Sequence, residues 1–391
     1  MMKTLPAAEW RMRPGLDALL AALGSDAGNT RFVGGAVRDT LLGLPVQDID
    51  LATRLTPGIV MARLAVAKIK AVPTGIAHGT VTAIVDAKPY EITTLRQDIA
   101  TDGRHAIVAF TDDWRADAAR RDFTINALYA DPTTDEIVDY FGGLADLGTR
   151  TVRFIGDPLA RIAEDHLRIL RFFRFHARFG VGPVDQAALA ACASRANDLM
   201  ALSRERIADE LLKLLALPNP APTMVLMIGH GILKPVLPEM VSAHALSGLI
   251  AHERAGAVAA NALRRFAALL PSNPSLAEAI ANRLKLSKAQ RKSLICIAQR
   301  HPADNDNPRA LAYYVGTDNA RDRLLLGGFG DAPLAGWQPP RLPLTGGDLI
   351  TRGLAPGPDG AATLKAIEAK WVAQGFPSGA ALERIVSEAL A

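Results

Sequence analysis

The chain has 391 residues, room for two or three domains, and its 49% hydrophobic and 21% charged content is ordinary for a folded soluble protein. Two cysteines, Cys192 and Cys296, far apart and without a CxxC pair, exclude a zinc ribbon and a disulfide framework and fit a reducing compartment. A net charge of +4 is too small to argue for nucleic acid by itself, no apolar run reaches the ~18 residues of a membrane helix, and the N-terminus has no apolar signal core, so a cytoplasmic protein without membrane contact is expected.

Residues 15–24 read as an apolar helix, 31–34 as a short strand, Gly34-Gly35 as a turn and 36–42 as a helix with Arg38 and Asp39 in its first turns. A strand is predicted over 48–52 and a helix over 57–71. Three β-rich runs follow at 79–85, 90–95 and 106–110; the polar stretch RQDIATDGRH at 96–105 reads as a loop or mobile arm. Residues 116–128 are predicted helical and 137–140 a strand, which completes an α+β unit with a small mixed sheet. The glycines of DYFGGLADL (139–147) break this pattern, and from residue 158 onward the spacing is helical almost throughout, with Pro- and Gly-rich breaks and no internal repeat.

On a strand over 48–52, Asp48 and Asp50 would project to one face. Two oxygen ligands with no nearby His or Cys suit Mg²⁺ rather than zinc. Two ions bridged by such a pair can activate an attacking hydroxyl and hold a triphosphate, which points to nucleotidyl transfer. The preceding Gly34 and Gly35 allow close approach of backbone to phosphate, the next helix start favours an anion, and Arg38 adds charge-assisted bonds. Glu91, on a neighbouring predicted strand, is a candidate third carboxylate, or an exposed strand glutamate.

In RRDFTINALYA (120–130), Asp122 and Asn126 are four apart and would share a helix face. A carboxylate and an amide there can hold a ribose while Arg121 reaches phosphate; a capped helix start is the alternative. In 161–179, Asp165 and Arg168 are three apart. They can imitate the edge of a base, or form an intrahelical salt bridge. Arg161, Arg168, Arg171, Arg174 and Arg178 fall on one broad stripe. Residues 283–300 hold six basic side chains and no acid, and Arg283, Lys285, Lys288, Arg291 and Lys292 are candidate RNA contacts or a solvated face. His78, His105, His166 and His176 form no ligand pair, and neither a P-loop nor a Ser-His-Asp set is present.

With these motifs assembled, residues 25–215 resemble class II tRNA nucleotidyltransferases, the CCA-adding enzymes, and the related bacterial poly(A) polymerases. GGAVRDTLLGLPVQDIDLAT is similar to the family's metal-binding motif, which implies two Mg²⁺ on Asp48 and Asp50. RRDFTINALYA resembles the ribose motif, DYFGGLADL the hinge, and EDHLR (164–168) the motif in which an Asp and an Arg, with Arg171 nearby, select CTP and ATP. LSRERIADELLKLL (202–215) resembles the helix that supports the neck, and LTGGDLITRGLAPGPDG a segment of the tail. The DGRH element of the 96–111 loop resembles that of CCA-adding members, in which movement of this loop and the neck switches addition from C to A.

The resemblance implies a nucleotidyltransferase head over 1–140, an all-α neck with the base template over 141–220, and an all-α, tRNA-binding body and tail over 221–391. It implies addition of C, C and A to the 3′ end of tRNA, with the acceptor arm as partner and no obligate protein partner. Poly(A) addition to RNA ends and a non-catalytic RNA-binding protein are the alternatives.

Overall fold

A computed structural model of the chain describes residues 4–101, 106–355 and 358–390; the DGRH element, with His105, and residues 356 and 357 of the tail segment lie outside the described residues. The chain divides into two compact units, Met1–Leu211 with Gly229–Val236, and Leu212–Ile228 with Leu237–Ala391.

The first unit opens with α1 (Leu16–Ala22), β1 (Thr30–Val33), α2 (Gly35–Leu41), β2 (Asp50–Thr53), α3 (Pro57–Val66) and the strands β3 (Lys70–Gly75), β4 (Thr80–Val85) and β5 (Lys88–Thr94). After β6 (Arg96–Thr101), β7 (Ala106–Phe110), α4 (Trp114–Ala119), β8 (Leu128–Ala130) and β9 (Ile137–Asp139) it becomes helical. Its helices are α5 (Gly143–Gly148), α6 (Pro158–Glu164), α7 (Arg168–Phe179), α8 (Gln186–Ser194) and α9 (Arg204–Leu215). Seven strands form one mixed sheet in the order β3-β4-β5-β2-β1-β8-β9, with β2 and β5 parallel and the other neighbours antiparallel. This is the expected α+β head followed by helices.

Side chains alternate across the sheet, and both faces are covered. Val33 and Ala52 join Leu95, Trp114, Ala118 and Tyr129 in a core on one face. Phe32 turns the other way and meets Trp10 edge-on at 4.8 Å. Asp50 precedes Leu51 and Ala52, so it stands at the end of β2 on the Trp114 and Tyr129 face.

Four local expectations fail, each for a visible reason. The helix over 57–71 stops at Val66 because Lys68 takes a left-handed conformation (φ 56°) and Ile69 N–H donates to Leu64 O, a Schellman closure that frees 70–75 for an edge strand. Strand β2 begins at Asp50, so Asp48 belongs to the preceding segment rather than to the strand. Residues 96–101 are not a loop but β6, paired with β7. The helix over 116–128 ends at Ala119: Asp122 captures the Phe123 N–H with its own carboxylate, Phe123 is extended and bridges Phe154, and only a single tight turn, Thr124–Asn126, follows before β8.

Phenylalanines fix the helical part to that turn. Phe123 lies 5.0 Å from both Phe154 and Phe175, and Phe154 stacks on Phe172 at 5.5 Å. Gly143 starts α5 so close to the turn that a Cβ on it would lie 2.3 Å from the Thr124 carbonyl oxygen. The second unit consists of α10 (Ala221–Gly229), α11 (His244–Ala255), α12 (Ala262–Ala268), α13 (Pro274–Arg283), α14 (Lys288–Ala298), α15 (Pro308–Val315), α16 (Thr317–Leu326), α17 (Gly346–Thr351), α18 (Pro358–Ala373) and α19 (Ala380–Leu390). Its buried Glu253 accepts from both Arg264 and Arg265, so those charges are paired inside the core. Among the described residues no helix is long and apolar enough to cross a membrane.

Candidate active site

A cleft of about 400 Å³ opens where α2, the end of β2, the 120–126 segment and α7 meet. Gly34, Gly35, Arg38, Asp50, Arg120, Arg121, Asp122, Asn126, Asp165, Arg168, Arg171 and Phe175 line it. Five arginines against three aspartates give a lining suited to a polyanion.

Gly34 has φ of 67°, which an L side chain rarely adopts, and the turn it makes delivers α2 to the cleft wall. Arg38 is buried and donates to Asp39 through Nε (2.8 Å) and to the Asn126 side-chain oxygen through Nη1. Its guanidinium sits 4.1 Å over the Phe179 ring, and burial lowers its pKa from the ordinary arginine value.

Asp50 pairs in register with Glu91 of β5, so the two carboxylates stand on the same side of neighbouring strands. Burial, then the Glu91 charge, push the Asp50 carboxyl up to about 6; Arg121 opposes the shift and Asp48 adds to it. Asp48 is exposed. A carboxylate crowded by two others, with oxygen donors only, fits a hard cation such as Mg²⁺. Among the described residues no three acidic, His or Cys side chains are already gathered as a ligand set. Mg²⁺ commonly takes one or two carboxylates and completes its shell with water and substrate phosphates, so a preformed three-ligand set is not required.

Asp122 and Asn126 meet, but across a turn instead of along a helix face. Asn126 Nδ2 donates to Asp122 Oδ1 (2.9 Å), which also accepts the Phe123 N–H (2.9 Å). Arg171 reaches Oδ2 through Nε at 2.8 Å and also through Nη2. Burial would raise the Asp122 carboxyl, yet Arg171 and Asn126 hold it below the usual carboxylate range. Two lone pairs on each oxygen are thereby used, and a ribose hydroxyl would have to replace one of these donors.

Asp165 and Arg168 are not on one helix and do not pair with each other. Helix α6 ends at Glu164, Asp165 is extended (φ −149°, ψ 108°), and Arg168 begins α7. Arg206 donates to both Asp165 oxygens at 3.3 and 3.2 Å, and Leu167 N–H to Oδ1 at 3.1 Å. Arg168 donates to Glu164 and to the carbonyls of Arg161 and Arg120, each at 3.0 Å. Both side chains still line the cleft. The expected arginine stripe is divided: Arg171 goes to Asp122, Arg174 to Glu210 and Arg178 to Asp39.

Sequence reasoning overlooked Arg120, Arg206 and Asp117. Asp117 is buried and accepts from Arg120 (2.9 Å), Arg121 (3.0 Å) and Tyr129 (2.7 Å). Burial raises its carboxyl, but Arg121, Arg120 and Tyr129 bring it down to about 2. A carboxylate three and four residues before two arginines is a signal the sequence carried. In the basic stretch, Arg283 forms a two-pronged bridge to Glu239 (2.8 and 3.0 Å) and Arg291 donates to Asn282 (3.0 Å). Lys285, Lys288 and Lys292 are exposed.

The family described as the poly A polymerase head domain matches residues 30–153, and the one described as the probable RNA and SrmB-binding site of polymerase A matches 183–243. "CCA tRNA nucleotidyltransferase 1, mitochondrial" of Mus musculus is 45% identical over 206 residues, 51% of this chain and 47% of that protein. The chain thus spans about half the length of the curated relatives it matches. Among solved structures, the Bacillus stearothermophilus CCA-adding enzyme in complex with CTP is similar at a TM-score of 0.74 and 28% identity, over 93% of this chain and 94% of that one. The Thermotoga maritima CCA-adding enzyme complexed with tRNA_CCA has the same fold, with a TM-score of 0.72 at 19% identity over 100% and 99% of the two chains.

Proposed function

We infer that this chain, a member of the class II tRNA nucleotidyltransferase and bacterial poly(A) polymerase family, adds C, C and A to the 3′ end of tRNA from CTP and ATP. The cleft carries the inference. Three stretches separated by up to about 130 residues deliver a glycine turn, an acidic strand end, five arginines and two further aspartates, Asp122 and Asp165, to one 400 Å³ space. A nucleoside triphosphate needs all four.

Asp48 and Asp50 would hold two Mg²⁺, which when bound make the RNA 3′-hydroxyl a better nucleophile at the α-phosphate and neutralise charge on the departing pyrophosphate. At neutral pH Asp50, poised at about 6, is mostly ionised and ready for a cation. Arg121 and Arg38 both line the cleft and would meet the triphosphate, and both are held in fixed directions, by Asp117 and by Asp39 and Asn126. Such preorganised charge supplies catalysis largely through positioning. Asp165 and Arg168 read the base. Cytosine and adenine each present an amino donor beside a ring-nitrogen acceptor, which a carboxylate and a guanidinium complement; uracil and guanine put a carbonyl where the amino group would be. Because Arg206 restrains Asp165, and Glu164 restrains Arg168, the pair is presented at a set spacing.

In this reading residues 1–140 are the catalytic head, 141–220 the neck and 221–391 the tRNA-binding body and tail, where Arg283, Lys285, Lys288, Arg291 and Lys292 meet the acceptor arm. Two free cysteines, Cys192 buried and Cys296 half-buried, support work in a reducing compartment such as the cytoplasm. Purified protein with Mg²⁺ and a tRNA transcript lacking its 3′ end tests the function. Two additions with CTP alone and a third only when ATP joins establish CCA addition. A ladder with ATP alone means a poly(A) polymerase, and no extension refutes catalysis. Asp48→Ala and Asp50→Ala should abolish extension while tRNA binding persists.

A further inference from the structure

The residues ahead of β1 lie outside the matched head domain, and none of the motifs above uses them. Residues 4–13 of this stretch nevertheless form a strap with several anchors. Leu5 N–H donates to Asp135 O (2.8 Å), and Arg11 pairs with Asp135 in the β8–β9 connection. The Trp10 indole donates to Thr40 Oγ1 of α2 at 2.8 Å. The last anchor is Arg13, whose Nη2 donates to the carbonyls of Val46 (3.1 Å) and Gln47 (3.3 Å) while Nη1 also reaches Gln47 O (3.3 Å).

Those two carbonyls immediately precede Asp48. The segment between α2 and β2 has no regular structure, and Leu44, Pro45, Gln47 and Asp48 are exposed. Leu44 N–H is tied back to Asp39 O, but among the described residues no hydrogen bond other than those from Arg13 reaches residues 45–48. Asp50 is fixed by the sheet; Asp48, its partner in the acidic pair, is fixed only through its neighbours' backbone.

We propose that Arg13 is a positioning residue for Asp48: by gripping the carbonyls of Val46 and Gln47 it sets where the exposed carboxylate stands beside Asp50, and so tunes divalent-cation affinity. This rests on the reading of Asp48 as a cation ligand. The guanidinium suits the task because its planar fork carries several donors in a fixed geometry, which a lysine ammonium lacks. A ligand displaced by loss of its support weakens the site even when the ligand itself is retained.

The test is Mn²⁺ binding by the full chain, read from the electron-paramagnetic signal of the free ion, which needs no turnover. Arg13→Ala is expected to weaken one Mn²⁺ by ~10-fold, the lower end of what loss of a ligand's supporting partner usually does. Arg13→Lys should fall between Ala and wild type, with melting temperatures close to wild type in both. Asp48→Asn should weaken the same ion at least as much. The double variant should bind no more weakly than Asp48→Asn alone, because Arg13 acts through Asp48. Wild-type Mn²⁺ affinity in Arg13→Ala, or losses that add in the double variant, would overturn the proposal while leaving Asp48 as a ligand. Unchanged affinity in Asp48→Asn would remove the cation role of Asp48 and the proposal with it.

Discussion

Replacing Asp50 by asparagine is expected to stabilise the metal-free protein above pH 6, although it should destroy activity. The folded Asp50 carboxyl is raised from 3.8 to about 6, first by burial and then by Glu91. The folded state therefore keeps a proton that the unfolded chain gives up at lower pH. Stability falls as pH rises from about 4 to about 6 and is level beyond. At ~1.4 kcal/mol per pH unit, the ionised carboxylate destabilises the fold by about 3 kcal/mol at pH 8 and by only ~0.5 kcal/mol at pH 4. Asparagine carries no charge to desolvate. Differential scanning calorimetry in EDTA should show Asp50→Asn melting several degrees above wild type at pH 8, at ~2–4 °C per kcal/mol for a unit of this size, and near it at pH 4. Added Mg²⁺ should raise the wild-type transition and close the gap. A variant less stable than wild type at pH 8, or an equal response of both proteins to Mg²⁺, would refute the reasoning.

Asp165→Ala should relax the choice of CTP over UTP and ATP over GTP more than it slows addition; Arg206→Ala, which only frees Asp165, should do the same more weakly. Ratios of kcat/KM for each pair measure this, and unchanged ratios would leave Asp165 a structural group. Gly143→Ala should cost about 1–3 kcal/mol in denaturant unfolding, since its methyl would meet the Thr124 carbonyl at 2.3 Å and push the turn that carries Asn126; a wild-type midpoint would contradict the packing. Neutralising Lys288 and Lys292 together should weaken tRNA binding and lower the slope of its salt dependence by about 2. Neutralising Arg283, already bridged to Glu239, should do less, and equal effects would place RNA against that bridge.

The residues that line the cleft were legible where chemistry is written in single residues: the glycine turn, Arg38, Asp50, Arg121, Asp122, Asn126, Asp165, Arg168 and Arg171, although Asp48 is not among the lining. Their local setting was not. Helical spacing over 116–128 is real in the sequence, but Phe123 gains more by joining Phe154, Phe172 and Phe175 than by continuing a helix, and tertiary burial overrides propensity there. The same holds for Asp165, whose spacing to Arg168 suggests one helix face; the chain instead straightens at Asp165 and hands its carboxylate to Arg206, 41 residues away. Strand β3 was hidden because Lys68 enters the left-handed region, which no glycine announced.

What the sequence could not express is how the motifs hold one another. Asp39, Arg38, Asn126, Asp122 and Arg171 form one unbroken path of hydrogen bonds from α2 through the 124–126 turn to α7. Each member of the path is also a cleft residue or touches one, so the groups that line the cleft are also the groups that join α2 and the 124–126 turn to α7. A substrate hydroxyl entering at Asp122 would displace Asn126, the Phe123 N–H or Arg171, and of these only Arg171 belongs to α7. Displacement of Arg171 would thereby couple occupancy of Asp122 to the setting of α7, through the exhaustion of that carboxylate's acceptors.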